Sequence, residues 1–144
     1  MKTHVEVIGV KQVSKMLQQS QEEIRQKVIQ QLNKSALKIV ADAKKAAPVD
    51  SGRLRGSLAI LARYNDGLTL DVGTNVFYAP YVEYGTGIYA AGDEPGRQTP
   101  WTYYSPQLKR YVTTQGMHAR PFLFPAFERE RPNLIAELKR IVGS

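Results

Sequence analysis

The chain contains no cysteine and no long apolar run. Without cysteine, neither disulfide bonds nor thiolate metal sites can hold the fold, and this composition fits a reducing compartment. No stretch approaches the roughly 18 consecutive apolar residues that a membrane span needs, so we expect no membrane partner. The opening residues, MKTHVEVIGV, alternate between polar and apolar types. They do not form a charged segment followed by an apolar one, so we expect no secretory leader.

Sequence patterns of catalysis and ligand binding are missing as well. The only two histidines, His4 and His118, lie far apart in the sequence. There is no GxSxG elbow, no phosphate loop ending in Gly-Lys-Ser/Thr, no HExxH and no calcium-binding loop. We therefore predict no catalytic, cofactor-binding or metal-binding residues, and we expect that the protein is not an enzyme.

The length and charge of the chain set broad limits on its architecture. With 144 residues it is expected to form one domain, residues 1–144, with a real core. Its net charge is +7, of which residues 1–55 contribute +6 and residues 56–144 contribute +1. A basic balance favours nucleic-acid binding, but a solvated helix face explains the same charges.

Apolar periodicity predicts a long helix from about Gln21 to Ala46, which Pro48 ends because the residue before a proline avoids the α region. A capping box at Ser20 and Glu23 supports its start. Before it, THVEVIG reads as a short strand, and the next ten residues as a short helix. The helix stripe consists of Ile24, Val28, Leu32, Ala36, Ile39, Val40, Ala43 and Ala47.

A β-hairpin is predicted after this helix, where SLAILARY and LTLDVGT flank the turn signal NDG. Its second strand places Leu68, Leu70 and Val72 on one side, with Thr69 and Asp71 on the other. This alternation predicts one buried face and one face in water.

Residues 88–119 are predicted to form a loop and a second hairpin. AAGDEPGRQTP is polar and rich in Gly and Pro, and β-forming residues then flank the turn SPQL. Exposed aromatic residues beside Arg and Lys are typical of interfaces. We predict a partner interface formed by Trp101, Tyr103, Tyr104, Lys109, Arg110 and Tyr111.

The last segment is predicted to be a helix. Pro125 suits its first turn, Leu134, Leu138 and Ile141 continue an apolar stripe, and Gly143 caps its end. Pro132 lies inside this run. Because proline removes a backbone donor and clashes with the preceding turn, we expect a kink or a break there.

Glu83 is the single charged residue in the aromatic stretch NVFYAPYVEYGTG. It could act as a catalytic acid, but no second carboxylate accompanies it at a recognisable spacing. A structural role is the alternative that we favour. Its partner would then be a basic group, such as Arg53 or Arg55, or the backbone N–H donors of its own glycine-rich turn.

Three segments in this order, AAPVDSGRLRGSL, VGTNVFYAPYVEYGTG and RPFLFPAF, resemble the tail-completion or minor tail proteins of the neck region of long-tailed bacteriophages and prophages. The similarity extends over about residues 10–142. The resemblance indicates a structural role for the following motif residues: Pro48, Asp50, Gly52, Tyr78, Glu83, Gly85, Pro121, Phe122 and Pro125.

The resemblance implies an α+β fold in which a small antiparallel β-sheet packs against a long N-terminal helix and a C-terminal helix, with a projecting β-hairpin insertion. It implies a non-catalytic virion protein, assembled in the host cytoplasm. This protein would form a ring with copies of itself, six-fold by family resemblance, and would join head–tail joining, terminator or tube proteins.

Two rival functions stay open at the level of sequence. One is a nucleic-acid-binding module that uses the basic N-terminal helix and the aromatic hairpin, close to packaged DNA. The other is a carbohydrate-cleaving enzyme built on Glu83, against which the missing second carboxylate argues.

Overall fold

The long helix predicted from the apolar stripe is present as α1 (Glu22–Ala46). The computed structural model describes residues 3–6, 22–49, 52–92 and 94–143. The predicted short helix before α1 and the Ser20 half of the capping box lie outside the described residues. Glu22 and Glu23 occupy the first turn of α1, and Lys44 and Lys45 occupy the last. Both placements complement the helix dipole.

Three antiparallel strands form the sheet, in the order β1 (Thr3–Glu6), β3 (Thr69–Thr74), β2 (Ala59–Tyr64). The NDG hairpin is confirmed, since Tyr64 pairs with Thr69 across the turn. Asn65 and Asp66 both adopt positive φ there, a conformation that Asn and Asp tolerate better than most residues do. A β-bulge between Ile60 and Ala62 interrupts the pairing of β2 with β3.

The predicted water-exposed face of β3 is wrong. Thr69 is only 7% exposed, and Asp71 is half-buried. Neighbouring side chains cover both residues: the Asn65 amide donates to the Thr69 hydroxyl at 3.2 Å, and the Tyr64 hydroxyl donates to the Asp71 carboxylate at 3.0 Å. Because β3 is the central strand, it is flanked by such neighbours on both sides.

Two short helices were not anticipated from the sequence. α2 (Arg53–Ser57) precedes β2, and α3 (Ala79–Tyr84) lies in the aromatic stretch after β3. Pro80 lies in the first turn of α3, where its missing N–H costs no hydrogen bond. α3 buries Ala79, Val82 and Glu83.

The C-terminal helix, α4 (Phe124–Val142), begins with Pro125 in its first turn and ends at Gly143, as predicted. Of the kink or break predicted at Pro132, the break is wrong, because the helix is continuous through that residue. Pro132 is exposed, whereas Ala126, Leu134 and Leu138 face the core. Packing on the opposite side of the helix therefore holds α4 together where one backbone hydrogen bond is lost.

α1 packs against α4 and against β2 and β3, which makes this an α+β fold. The core lies between these elements. Its largest fully buried apolar side chains are Phe122, Leu32, Ile39, Leu58, Leu70, Leu123, Val28 and Val72.

The second predicted hairpin forms a separate two-stranded sheet, β4 (Trp101–Ser105) and β5 (Arg110–Thr114). Its register pairs Trp101 with Thr114 and Tyr104 with Tyr111. Since side chains alternate between the faces of a strand, one face carries Trp101, Tyr103 and Val112. The other face carries Thr102, Tyr104, Tyr111 and Thr113, all of which are exposed.

Candidate functional site

The carboxylate of Glu83 joins the second motif segment to the third. Its Oε2 accepts hydrogen bonds from the backbone N–H groups of Phe122, at 2.9 Å, and Leu123, at 3.0 Å. Its Oε1 accepts one from the N–H of Phe124, at 2.9 Å. Phe124 is the first residue of α4, and the N–H groups at a helix start have no partner within the helix. Glu83, 5% exposed, supplies the missing acceptor and a negative charge at the positive end of the helix dipole.

The donors to Glu83 are backbone N–H groups, one of the two kinds of partner that the sequence left open. They belong to the segment PFLF, however, and not to the glycine-rich turn of Glu83 itself, so the expected location was wrong. Arg55, one of the two basic residues proposed as the partner, directs its Nη2 to the carbonyl oxygen of Ala47, at 3.4 Å. A contact between residues about 40 positions apart leaves no local sequence signal.

The glycine-rich turn after α3 docks on the segment that follows β5. The backbone N–H of Thr86 donates to the carbonyl oxygen of Met117 at 2.9 Å, and the N–H of Ile88 donates to that of Gln115 at 3.1 Å. Gly87 has a φ of +63°, and a Cβ there would overlap the carbonyl oxygen of Gln115. Only glycine therefore permits this approach of two backbones.

The three motif segments also meet around one cavity of about 350 Å³. The first segment contributes Pro48, Arg53 and Leu54, the second contributes Tyr78 and Val82, and the third contributes Arg120. A further backbone bond fixes one side, because the N–H of Arg120 donates to the carbonyl oxygen of Val82 at 2.8 Å. Gln107, in the turn of the β4–β5 hairpin, and Met117 complete the lining.

The remaining motif positions differ in their surroundings. Phe122 is fully buried, Gly85 is buried, and Tyr78 and Pro125 are half-buried. Gly52 and Pro121 are exposed. Asp50 lies outside the described residues.

The predicted interface residues lie together on the hairpin, but on two faces and at the turn. Tyr104 and Tyr111 form an edge-to-face pair with ring centroids 5.4 Å apart. Tyr111 is 74% exposed, the largest value among the exposed large apolar side chains of the described residues. Trp101, in contrast, is half-buried under the guanidinium of Arg97, which lies 5.5 Å from its ring centroid.

Sequence reasoning missed a buried ionic cluster between α1 and α4. Oε1 of Glu130 accepts from the Ser35 hydroxyl, at 2.9 Å, and from the Asn133 amide, at 2.8 Å, while Nζ of Lys38 lies 3.2 Å from Oε2. Burial alone would raise the pKa of Glu130. The hydrogen bonds from Asn133 and Ser35 and the nearby Lys38 ammonium outweigh burial and lower the pKa below its ordinary value of 4.5. Glu130 stands in the apolar stripe of α4, four residues before Leu134, and that position could have indicated it.

Within residues 3–6, 22–49, 52–92 and 94–143, no group of three or more His, Cys, Asp or Glu side chains is suitably placed to hold a metal ion. None of the helices in these ranges is both long enough and apolar enough to span a membrane.

Comparison with known families identifies the chain as a bacteriophage protein. The family model described as "Bacteriophage HK97-gp10, putative tail-component" matches residues 11–85. This match covers slightly more than half of the chain, so the protein belongs to that family of phage tail components. As a tail component, it is a virion protein that contacts other tail or neck proteins.

The match includes α1, α2, β2, β3 and α3 and ends before the β4–β5 hairpin and α4. Searches of the curated proteins and of the solved structures found no significant match.

Proposed function

We propose that the protein is a non-catalytic structural component of the phage neck. In this proposal it assembles as a ring of identical copies, six-fold by family resemblance, and joins or completes the tail at the head–tail interface. Assembly takes place in the cytoplasm of the bacterial host, and the neighbours of the ring are head–tail joining, tail terminator or tube proteins.

The observation that carries this proposal is the aromatic hairpin. Tyr103, Tyr104 and Tyr111 are each about half exposed or more, and Lys109 and Arg110 adjoin them at the turn. Tyr and Arg are enriched among the residues that dominate binding energy at interfaces. An isolated two-stranded hairpin is only marginally stable in water. A neighbouring protein surface would both cover the rings and stabilise the strands.

A non-catalytic role is supported by the surroundings of Glu83. Both carboxylate oxygens already accept backbone hydrogen bonds, and these bonds position α4 rather than a ligand. A general acid or base must reach the proton that it transfers, and Glu83 is buried against its own chain.

The proposal is tested by native mass spectrometry of the purified chain, alone and with candidate neck proteins, and by adding it to particles of a phage that lacks the protein. We expect a closed oligomer of defined mass, together with restored head-to-tail joining. A chain that is absent from purified virions, or particles that join normally without it, would contradict the proposal.

Nucleic-acid binding is the second candidate, and one surface favours it. Lys27, Lys34 and Arg140 line an open groove of about 460 Å³ between α1 and α4. Phosphate binding by such a groove weakens steeply with salt, with a logarithmic slope of roughly −0.9 for each neutralised phosphate of duplex DNA. Binding to duplex DNA measured at several salt concentrations therefore separates the two candidates, since assembly through aromatic burial lacks this slope.

A further inference from the structure

A second aromatic surface lies outside the hairpin, on the outward side of α3. Tyr81 and Tyr84 lie on this side of the helix, Phe77 precedes the helix and Ile88 follows it, and each of the four is at least 41% exposed. The opposite side of α3 buries Ala79 and Val82 in the core. The fold therefore leaves this aromatic stripe uncovered within the described residues, although burial of such rings is favourable.

An open groove of about 440 Å³ adjoins the stripe. Tyr81, Thr86 and Ala90 line one part of it, and Gly96, Arg97 and Trp101 line another. Arg97 is stacked on the Trp101 ring. The groove has room for aromatic side chains.

The outward face of the hairpin carries exposed aromatic side chains of its own. The Tyr104–Tyr111 ring pair stands on this face, beside Thr102 and Thr113, whose hydroxyl groups are hydrogen-bonded to each other at 2.8 Å. All four side chains are exposed within their own chain. Among the described residues, nothing covers them.

The two surfaces carry one pair of opposite charges. Glu94 lies beside the groove, which Arg97 also lines. Lys109 stands at the turn of the hairpin, and residues 97–127 contain no acidic residue. Glu94 is exposed and lies between Ala91, whose N–H donates to the carbonyl oxygen of Tyr84 at 2.7 Å, and Gly96 in the groove.

We infer that the outward face of the hairpin in one copy docks in the α3 groove of a second copy. Tyr104 and Tyr111 enter the groove against Tyr81, while Lys109, at the turn of the hairpin, faces Glu94. The two surfaces differ, so the contact is head-to-tail, and repetition of a head-to-tail contact closes a ring when its rotation permits. This inference rests on the proposed ring assembly and identifies the surfaces that form it.

The exposed area is sufficient for such a contact. With roughly 200 Å² for each ring, the exposed halves of Phe77, Tyr81, Tyr84, Tyr104 and Tyr111 provide about 600 Å². Apolar atoms make up somewhat more than half of an interface, so these rings correspond to a total of about 1,000 Å², the lower limit for a specific interface.

The absence of native cysteine allows a direct test with single-cysteine chains. Thr113→Cys places a thiol on the outward face of the hairpin, and Ile88→Cys places one beside the groove. We expect a short bismaleimide to cross-link a mixture of the two variants, whereas Thr113→Cys alone gives no dimer. Cross-linking of Thr113→Cys to itself, or no cross-link in the mixture, would overturn the inference.

Charge reversal supplies the second measurement. Lys109→Glu, added to the Thr113→Cys chain, should reduce the cross-linked yield at low salt several-fold, because like charges repel across an interface. Glu94→Lys in the Ile88→Cys chain should restore most of that yield. Loss without restoration contradicts the proposed pairing of charges.

The two proposals fail in different ways. If the wild-type chain forms rings and joins particles while the mixture gives no cross-link, the ring stands and these surfaces do not form it. If the mixture gives the cross-link while the wild-type chain is absent from virions, the docking stands and the proposed function fails. Thermal melting of each variant checks that the fold is retained.

Discussion

Glu83 and Phe122, 39 residues apart in the sequence, are joined by a hydrogen bond of 2.9 Å from the backbone N–H of Phe122 to the Glu83 carboxylate. The same carboxylate also accepts from Leu123 and Phe124. One buried side chain thus fixes where α4 begins relative to α3. Since Phe122 and Leu123 are themselves core residues, this contact couples the aromatic stretch to the packing of α4.

Glu83→Gln is expected to lower the free energy of unfolding by about 1–3 kcal/mol. The amide removes the negative charge and points an N–H₂ group at backbone donors, which leaves at least one buried donor unpaired. Chemical denaturation measures the change. Glu128→Gln, at an exposed site in the first turns of α4, is the matched control and should change stability by less than about 0.5 kcal/mol. A Glu83→Gln chain of normal stability that had lost hydrolysis of a glycan would support the enzyme alternative.

Leu32→Ala is expected to destabilise the fold by about 2–5 kcal/mol, the range for truncating a buried leucine. Leu32 is 1% exposed on the side of α1 that faces the core. Leu37→Ala, on the same helix but 61% exposed, is the matched control and should have little effect. If Leu32→Ala kept its stability and instead lost self-association, the stripe would be an interface and not core.

Stability should depend on pH through Glu130. Its pKa is lowered in the folded chain, so the folded state binds the proton less readily than the unfolded state does. The ionised carboxylate therefore stabilises the fold above its unfolded pKa, near 4.5, and this contribution is lost as the pH falls through the folded pKa. Glu130→Gln should cost about 1–3 kcal/mol at neutral pH.

Denaturation at a series of pH values measures the difference between the wild-type chain and Glu130→Gln. That difference should shrink below the ordinary pKa of the group. If this difference in the free energy of unfolding instead stayed constant down to the lowest pH at which both chains fold, Glu130 would not contribute through its charge.

The sequence predicted the long elements well, because each repeats a pattern many times. Its patterns predict α1, α4, the NDG hairpin and the second hairpin, all of which the structure contains. α3 was missed because it has only six residues, too few for a helical period to be visible among aromatic residues and glycines. The break predicted at Pro132 was wrong because the disruptive effect of a proline on a helix is local, whereas tertiary packing holds α4 together.

Side-chain partners were less predictable than elements. The sequence indicated that Glu83 needs hydrogen-bond donors, but it did not locate them. The backbone N–H groups at the start of α4 are the donors, and only the three-dimensional fold brings them close to α3. The Glu130 cluster was missed for the same reason, since Ser35 lies 95 residues away. Among the predicted interface residues, the exposed positions on the hairpin agree with an interface, and their partner remains a prediction.

Gly87→Ala is expected to destabilise the fold by about 1–3 kcal/mol, the cost of a strained backbone position. A methyl group would meet the carbonyl oxygen of Gln115 and would also disfavour the φ of +63°. Gly56→Ala is the control, since Gly56 lies in α2 with no atom within 4 Å of the added Cβ. That change should be neutral or stabilising, because alanine favours helix more than glycine does. Equal melting temperatures for the two variants would contradict the close approach seen at Gly87.

Limited proteolysis should begin in the segment Gly92–Gln98 of the free chain. Glu94, Pro95, Arg97 and Gln98 are exposed. Few apolar contacts hold this loop, so local opening should cost little free energy. Trypsin is expected to cleave first after Arg97, and Arg97→Gln should remove that early cleavage without changing thermal stability.

The same bond should become protected in the assembled particle, because the proposed docking brings the hairpin of a neighbouring copy against Arg97 and Trp101. The measurement is the rate of appearance of the two fragments, compared between the free chain and virions at equal protease concentration. Cleavage after Lys44 or Lys45 in α1 serves as the internal reference, since those residues lie away from the groove. Equal rates of cleavage after Arg97 in both samples would show that this loop is not part of the assembly contact. Slower cleavage in virions than in the free chain would support the proposed docking.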